Sequence, residues 1–152
     1  EELNRIEKID IKTNLISLYV VQGENEIMKI FGVDDKVDFY KAIRNRVLDG
    51  EALEYEVAYF DRRIVRFLNK EIAQSSIYNY LENELQLKIS HSRREIKFRN
   101  ATKEEKKYMD LGKYNMVVAI ENRTYLSNGT LFQYGVTSYK PDKFIFSTVA
   151  KR

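Results

Sequence analysis

IRNRVLDGEALEYEVAYF, residues 43–60, decides the fold, because its turn can close in two ways that put different side chains on the same face. Asp49-Gly50 is a strong hairpin signal between two runs rich in β-branched and aromatic residues, so strands are expected near 37–48 and 51–60. A two-residue turn would set Arg46 against Leu53 and Arg44 against Tyr55, mixing charge with apolar side chains on both faces. A three-residue loop with Gly50 in the left-handed conformation shifts the pairing by one residue and turns the second strand over. Ile43, Val47, Leu53, Tyr55 and Val57 then share one face, and Arg44, Arg46, Glu54 and Glu56 the other. This second register is the one expected. Its polar face has two readings. One is a solvated surface with cross-strand ion pairs contributing about 0.5 kcal/mol each. The other is a pocket in which two guanidinium forks on one strand hold a phosphate, while a carboxylate opposite accepts from hydroxyls. On the residues alone the solvated surface is the commoner outcome.

Working outward, NLISLYVV (14–21) reads as a strand and ENEIMKIF (24–31) as a short helix. Ser75 and Ser76 precede IYNYLENEL, whose Ile77, Tyr80, Leu81 and Leu85 recur at helical spacing behind a serine N-cap. Residues 87–100 alternate as an edge strand does, and Thr102 with Glu105 forms a capping box for a helix over 103–111. NMVVAIENRTYLS and TLFQYGVTSY are joined through Asn128-Gly129 as a second hairpin, and KFIFSTVA is expected to add a closing strand. The opening EELNRIEK reads as the end of a helix, so the chain is expected to be one domain of a longer protein. Tight hairpins dominate, which gives an α+β domain with a mainly antiparallel sheet flanked by helices.

The 152 residues are 43% apolar and 32% charged with a single proline, enough for one globular domain with a core over 1–152. Net charge is +3, but acidic and basic residues are interspersed, without the basic stripe of a nucleic-acid-binding face. There is no apolar run of membrane-spanning length. Cysteine is absent, which removes disulfide and thiolate chemistry and is compatible with the cytoplasm. His91 is the only histidine, so a metal site has little to build on. No nucleophile motif or Gly-rich phosphate loop occurs. The backbone N–H groups and hydroxyl at Ser76 suit an anion, with simple capping as the plainer role. Tyr125, Tyr134 and Tyr139 fit sheet packing better than a base-stacking platform.

In order along the chain, IRNRVLDGEALEYEVAYF, SSIYNYLENELQLKI, ATKEEKKYMDL, RTYLSNGTLFQYGVTSY and DKFIFSTVAKR resemble the UTRA domain. That domain is the effector-binding half of HutC-subfamily, GntR-type bacterial transcription regulators. Within the family, SIYNYLENELQLKIS and YNMVVAIENRTYLSNGTLFQY are most like the branch that represses trehalose operons in Firmicutes. The resemblance implies a chorismate-lyase-like fold, a cytoplasmic homodimer, and a winged helix-turn-helix for operator DNA lying N-terminal to this domain. It implies a phosphorylated-sugar effector, with no enzyme activity, cofactor or metal. Carried over by position, Arg44 and Arg46 hold the phosphate with Ser76, Ser75 being the near alternative, and Glu56 and Tyr139 contact the sugar. Gln133 stands where some relatives have glutamate, which favours a neutral disaccharide, trehalose 6-phosphate, over an amino sugar. N-acetylglucosamine 6-phosphate and glucosamine 6-phosphate are the alternatives within the class. A lyase with Glu56 as its acid or base, or direct nucleic-acid binding, are the alternatives outside it.

Overall fold

The computed structural model describes residues 11–152, so the helix read at the chain's start lies outside the described residues. The strands are β1 (Ile11–Gln22), β2 (Asp38–Leu48), β3 (Glu51–Asp61), β4 (Ile89–Asn100), β5 (Met116–Leu126) and β6 (Leu131–Tyr139). They form a six-stranded sheet in the order β1-β2-β3-β6-β5-β4, and every pairing is antiparallel. The helices are α1 (Asn25–Phe31), α2 (Lys70–Gln74), α3 (Ile77–Asn79) and α4 (Lys103–Tyr108), with a π-helical turn, Tyr80–Glu84, continuing α3. The α+β class and the antiparallel sheet with flanking helices are as expected, and β4 is indeed an edge strand.

Side chains alternate across the strands, so the two faces build two separate cores. On one, Tyr40 and Ala42 of β2 and Ala58 and Phe60 of β3 pack against Ala73 of α2, Ile77 of α3 and Leu81 of the π turn. On the other, Phe39, Tyr59 and Tyr134 pack against Ile27 of α1, and Tyr55 and Val117 against Met109 and Leu111 beyond α4. The helix starts follow their caps. The Asn69 side chain accepts from the Ile72 amide, Ser76 from the Asn79 amide, and Thr102 and Glu105 complete both halves of the capping box. α1 stops where Gly32 turns left-handed at φ 65°.

The first hairpin has the expected pairing by a different route. Arg44 lies opposite Glu56 and Arg46 opposite Glu54, so the arginines and glutamates share a face. The turn, however, is the two-residue Asp49-Gly50, with φ 47° and 84° as a type I′ turn requires, and a bulge next to Arg46 and Val47 supplies the one-residue shift.

Three expectations are corrected. The helix after Ser76 is α-helical for one turn and then widens into the π turn, where the Leu85 amide donates to the Tyr80 carbonyl. Tyr80 and Leu81 are both buried there, at 8% and 0% exposure, so the wider turn presents two successive side chains to one core. The helix at 103 ends at Tyr108, where the chain leaves to bury Met109. KFIFSTVA is not a strand: beyond a 3-10 turn at Pro141–Lys143 no regular structure follows, and Ile145, Phe146 and Val149 are exposed. β6 is hydrogen-bonded on both sides by β3 and β5, so the chain leaving it cannot pair beside β6, and it pairs with neither edge strand, β1 or β4.

Candidate functional site

The sheet face that carries the α2–α3 segment is apolar at one end of the β2–β3 ladder and polar at the other. Two residues along from Ala42 comes Arg44, then Arg46; two before Ala58 comes Glu56, then Glu54. Here the helical cover is thin, and a cavity of about 860 Å³ opens between the sheet and the α2–α3 junction. Arg44, Arg46, Ser75 and Ser76 all line it, with Thr13 from β1 and Tyr78 from α3. The four residues assigned to phosphate are therefore brought together. Two smaller spaces extend it across the sheet. One, of about 70 Å³, shares Thr13, Arg44, Arg46 and Glu54 with the first and adds Glu56, Thr137 and Tyr139. The next, of about 380 Å³, shares Glu56, Thr137 and Tyr139 and reaches Gln133, Asn122 and Arg94. The result is a trough at right angles to the strands, from β1 to β4, with Tyr78 on its wall.

The two arginines differ in their setting. Arg44 is 13% exposed, donates from Nε and Nη2 to Glu56 Oε1 at 2.9 and 2.5 Å, and donates from Nη1 to the Ala73 carbonyl at 3.3 Å. Arg46 is 49% exposed and faces Glu54 at 3.6 Å, so its fork is held loosely and is open to the cavity. Burial pushes the Glu54 carboxyl above its ordinary range; Arg46 opposes this and the neighbouring Glu56 adds to it. Burial likewise raises the Tyr139 phenol, with the Glu54 carboxylate beside it adding to the effect. Ser75 closes α2, its hydroxyl donating to the Ile72 carbonyl at 3.0 Å, whereas Ser76 Oγ caps α3 and lines the cavity. Because α3 is a single turn, a helix dipole adds little here. What Ser76 offers an anion is its hydroxyl and the amides beside it.

Gln133 lies on the floor further along and is 6% exposed. Its Oε1 accepts from Thr124 Oγ1 at 2.8 Å, Asn122 Nδ2 at 3.0 Å and the Tyr78 hydroxyl at 3.4 Å. Its Nε2 makes no hydrogen bond among the described residues. A Cβ on Gly135 would sit 3.0 Å from that nitrogen and 3.2 Å from the Val57 carbonyl, so the glycine keeps the floor open. Tyr78, Asn122, Thr137 and Arg94 are trough residues that sequence reasoning did not pick out, as is Thr124, buried beneath them and hydrogen-bonded to Tyr78 and Gln133. The signal was available: in the register set by the Asn128-Gly129 turn, Asn122 and Thr124 fall opposite Gly135 and Gln133.

A second cavity, about 690 Å³, lies on the opposite face and contains none of the assigned residues. Its Arg99 and Lys41 face Glu105 and Glu24 at 2.7 and 4.0 Å. His91 is on exposed β4 and stacks on Tyr125, with ring centroids 4.9 Å apart. Tyr134 is buried in the core beside Tyr59. Among the described residues, no three His, Cys, Asp or Glu side chains form a metal-binding group, and no helix is long and apolar enough to cross a membrane.

Comparison with known proteins adds three findings. The family model described as the UTRA domain matches residues 7–145. The HTH-type transcriptional regulator TreR of Bacillus subtilis (strain 168) is 39% identical over 115 residues, covering 76% of this chain and 48% of that protein. The solved structure of the B. subtilis trehalose repressor (TreR) effector binding domain superposes with a TM-score of 0.85 at 35% identity, covering 93% of this chain and 98% of that one. The chain spans between 48% and 62% of the length of the curated relatives it matches, all of them described as transcriptional regulators or repressors.

Proposed function

The chain belongs to the UTRA-domain family, and from that premise we propose that it is the effector-binding domain of a bacterial repressor that senses a phosphorylated sugar, trehalose 6-phosphate first among them. The observation that carries this reading is the pair Arg44 and Arg46, facing one cavity together with Ser75 and Ser76. Two guanidinium forks with hydroxyls beside them match the charge and the several acceptor oxygens of a phosphate. Glu56, Tyr139 and the Gln133 amide continue the cavity as hydrogen-bonding groups for a sugar.

In this reading the full-length protein carries a winged helix-turn-helix N-terminal to the domain, and it works in the cytoplasm as a homodimer on operator DNA. The names of the relatives and the share of their length that is matched support the first part. Effector binding changes how the two DNA-binding units sit, which requires different effector affinity in the two dimer states. A lyase reading is less well supported, because the acid or base it would need, Glu56, already accepts from Arg44 twice.

Calorimetric titration of the 152-residue chain tests the proposal, with trehalose 6-phosphate, trehalose, glucose 6-phosphate and N-acetylglucosamine 6-phosphate run in parallel. Saturable binding of trehalose 6-phosphate without binding of trehalose is the expected result. Preference for N-acetylglucosamine 6-phosphate would keep the phosphate anchor and replace the sugar. Binding of unphosphorylated trehalose as tightly as its phosphate would remove the anchor.

A further inference from the structure

The far end of the trough holds a cation that the phosphate reading leaves unused. Arg94 lies on β4, four strand positions from β2, so its backbone is about 19 Å of sheet from that of Arg46 at ~4.8 Å per strand. Its Nε donates to Asn122 Oδ1 at 3.2 Å, and it has no ion-pair partner among the described residues. The neighbouring cations on β4 differ: Arg93 and Lys97, on the other face, lie 3.3 and 3.9 Å from Glu95. Asn122 is itself fixed, because its Nδ2 donates to Thr124 at 2.8 Å and to Gln133 at 3.0 Å. The chain Arg94, Asn122, Gln133 thus holds the guanidinium by one edge and leaves its remaining N–H groups free. Beside it lies the Nε2 of Gln133, on a side chain that is 6% exposed, lines the trough and donates no hydrogen bond among the described residues. Two sets of unused donors therefore converge on one space. Such donors complement a group rich in acceptor oxygens, and the second pyranose ring of a disaccharide is one.

Resting on the phosphate anchor argued above, we propose that Arg94, positioned by Asn122, reads the distal ring of a two-ring sugar phosphate. The trough thereby selects a disaccharide monophosphate over a monosaccharide phosphate. A ligand whose phosphate sits between Arg44 and Arg46 reaches β4 only if a second ring follows the first. A single-ring phosphate ends over β3 and β6 and leaves Arg94 hydrated. The length of the ligand is read by a cation whose position is set by strand order.

Calorimetry on the 152-residue chain with trehalose 6-phosphate and glucose 6-phosphate tests this in wild type, Arg94→Ala, Arg93→Ala and Arg44→Ala. Arg94 is exposed and unpaired, so its removal leaves the fold intact; Arg93→Ala makes the same change of charge on the opposite face. The expected result is a loss of about tenfold or more in trehalose 6-phosphate affinity for Arg94→Ala, as for a lost charge-assisted contact. Glucose 6-phosphate affinity stays within about twofold of wild type, and Arg93→Ala changes neither. Equal weakening of both ligands by Arg94→Ala would reduce its role to general attraction, and unchanged trehalose 6-phosphate affinity would remove it from the site; either overturns the proposal. Arg44→Ala separates this from failure of the anchor itself: if it keeps the affinity for both ligands, the phosphate is not held at β2 and the distal assignment falls with it.

Discussion

Arg44→Ala is expected to lower affinity for a phosphorylated sugar by about 10- to 100-fold, from the loss of charge-assisted hydrogen bonds worth about 1.5–3 kcal/mol. It is also expected to lower the stability of the domain. The Arg44 guanidinium holds Glu56 and reaches the Ala73 carbonyl in the last turn of α2, and its side chain is only 13% exposed. Its removal leaves a carboxylate, 26% exposed, without its counter-charge, and a helix end without a donor. Full burial of such a charge would cost about 3–5 kcal/mol; with water reaching Glu56 the cost should be nearer ~2 kcal/mol. Arg46→Ala separates the two effects. That side chain is 49% exposed and its ion pair is 3.6 Å long, so stability should stay within about 0.5 kcal/mol while affinity still drops. Titration calorimetry and urea unfolding on both variants would measure this. Wild-type affinity in both would leave the arginines as a solvated, ion-paired face, the plainer of the two sequence readings.

That both readings are open on the residues alone shows what a strand sequence carries. Polarity alternation is local, so the sharing of one face by Arg44, Arg46, Glu54 and Glu56 could be read directly. The bulge that produces it could not, because Asp49-Gly50 followed by a bulge and a three-residue loop give the same pairing beyond Arg46. What lies over the face is non-local. The α2–α3 segment reaches it by packing Ala73 and Ile77 on Ala42 and Ala58. Of that segment the Ser76 cap and the apolar positions behind it were legible; α2 is five residues long, too short for a periodic signal. KFIFSTVA failed for a related reason. Its composition is that of a strand, but a strand needs an edge beside it to pair with, and which segment meets an edge is a property of the whole sheet order.

The site divides the same way. Arg44, Arg46, Ser75 and Ser76 come from two stretches of sequence and were placed together on a resemblance; their common cavity follows from the packing of α2 and α3. Tyr78 was hidden because it sits one residue from Ile77 in a helix read mainly for its apolar stripe. Asn122 and Thr124 sit in a hairpin whose turn was legible. Their relevance depends on β6 lying beside β3, which brings this hairpin next to Glu56 and which turn chemistry alone does not fix.

Glu105→Ala is expected to cost the domain about 3 kcal/mol, the lower end of the range for removing one partner of a buried ion pair. Glu105 is 2% exposed, and Arg99 donates to its two oxygens at 2.7 and 2.9 Å. The Thr102 amide donates at 2.8 Å and the Ser138 hydroxyl also donates, so every side of the carboxylate is satisfied. Arg99 is 35% exposed and can turn to water when its partner goes, which places the cost at the lower end. The same group gives a pH test. Burial pushes the Glu105 carboxyl up, but hydrogen bonds from Arg99, Ser138 and Thr102 outweigh it, and the net position is below the ordinary value of 4.5. A carboxylate whose folded value is depressed contributes stability above its unfolded value, and that contribution is lost as pH falls through the folded one. Wild type should therefore lose part of its advantage over Glu105→Gln as the solution is acidified below about pH 4.5. Glu121, lowered chiefly by its hydrogen bond from Lys97, remains in both proteins and cancels in the comparison. Urea unfolding of both at pH 7 and pH 3.5 would measure the difference, and an equal gap at the two values would mean that the Glu105 charge contributes nothing to folding. The clamp also bears on the trough: Ser138, which it holds from beneath, lies between Thr137 and Tyr139, whose side chains line the opposite face. A loosened clamp should therefore weaken effector binding through the position of Tyr139, without a contact of its own to the ligand.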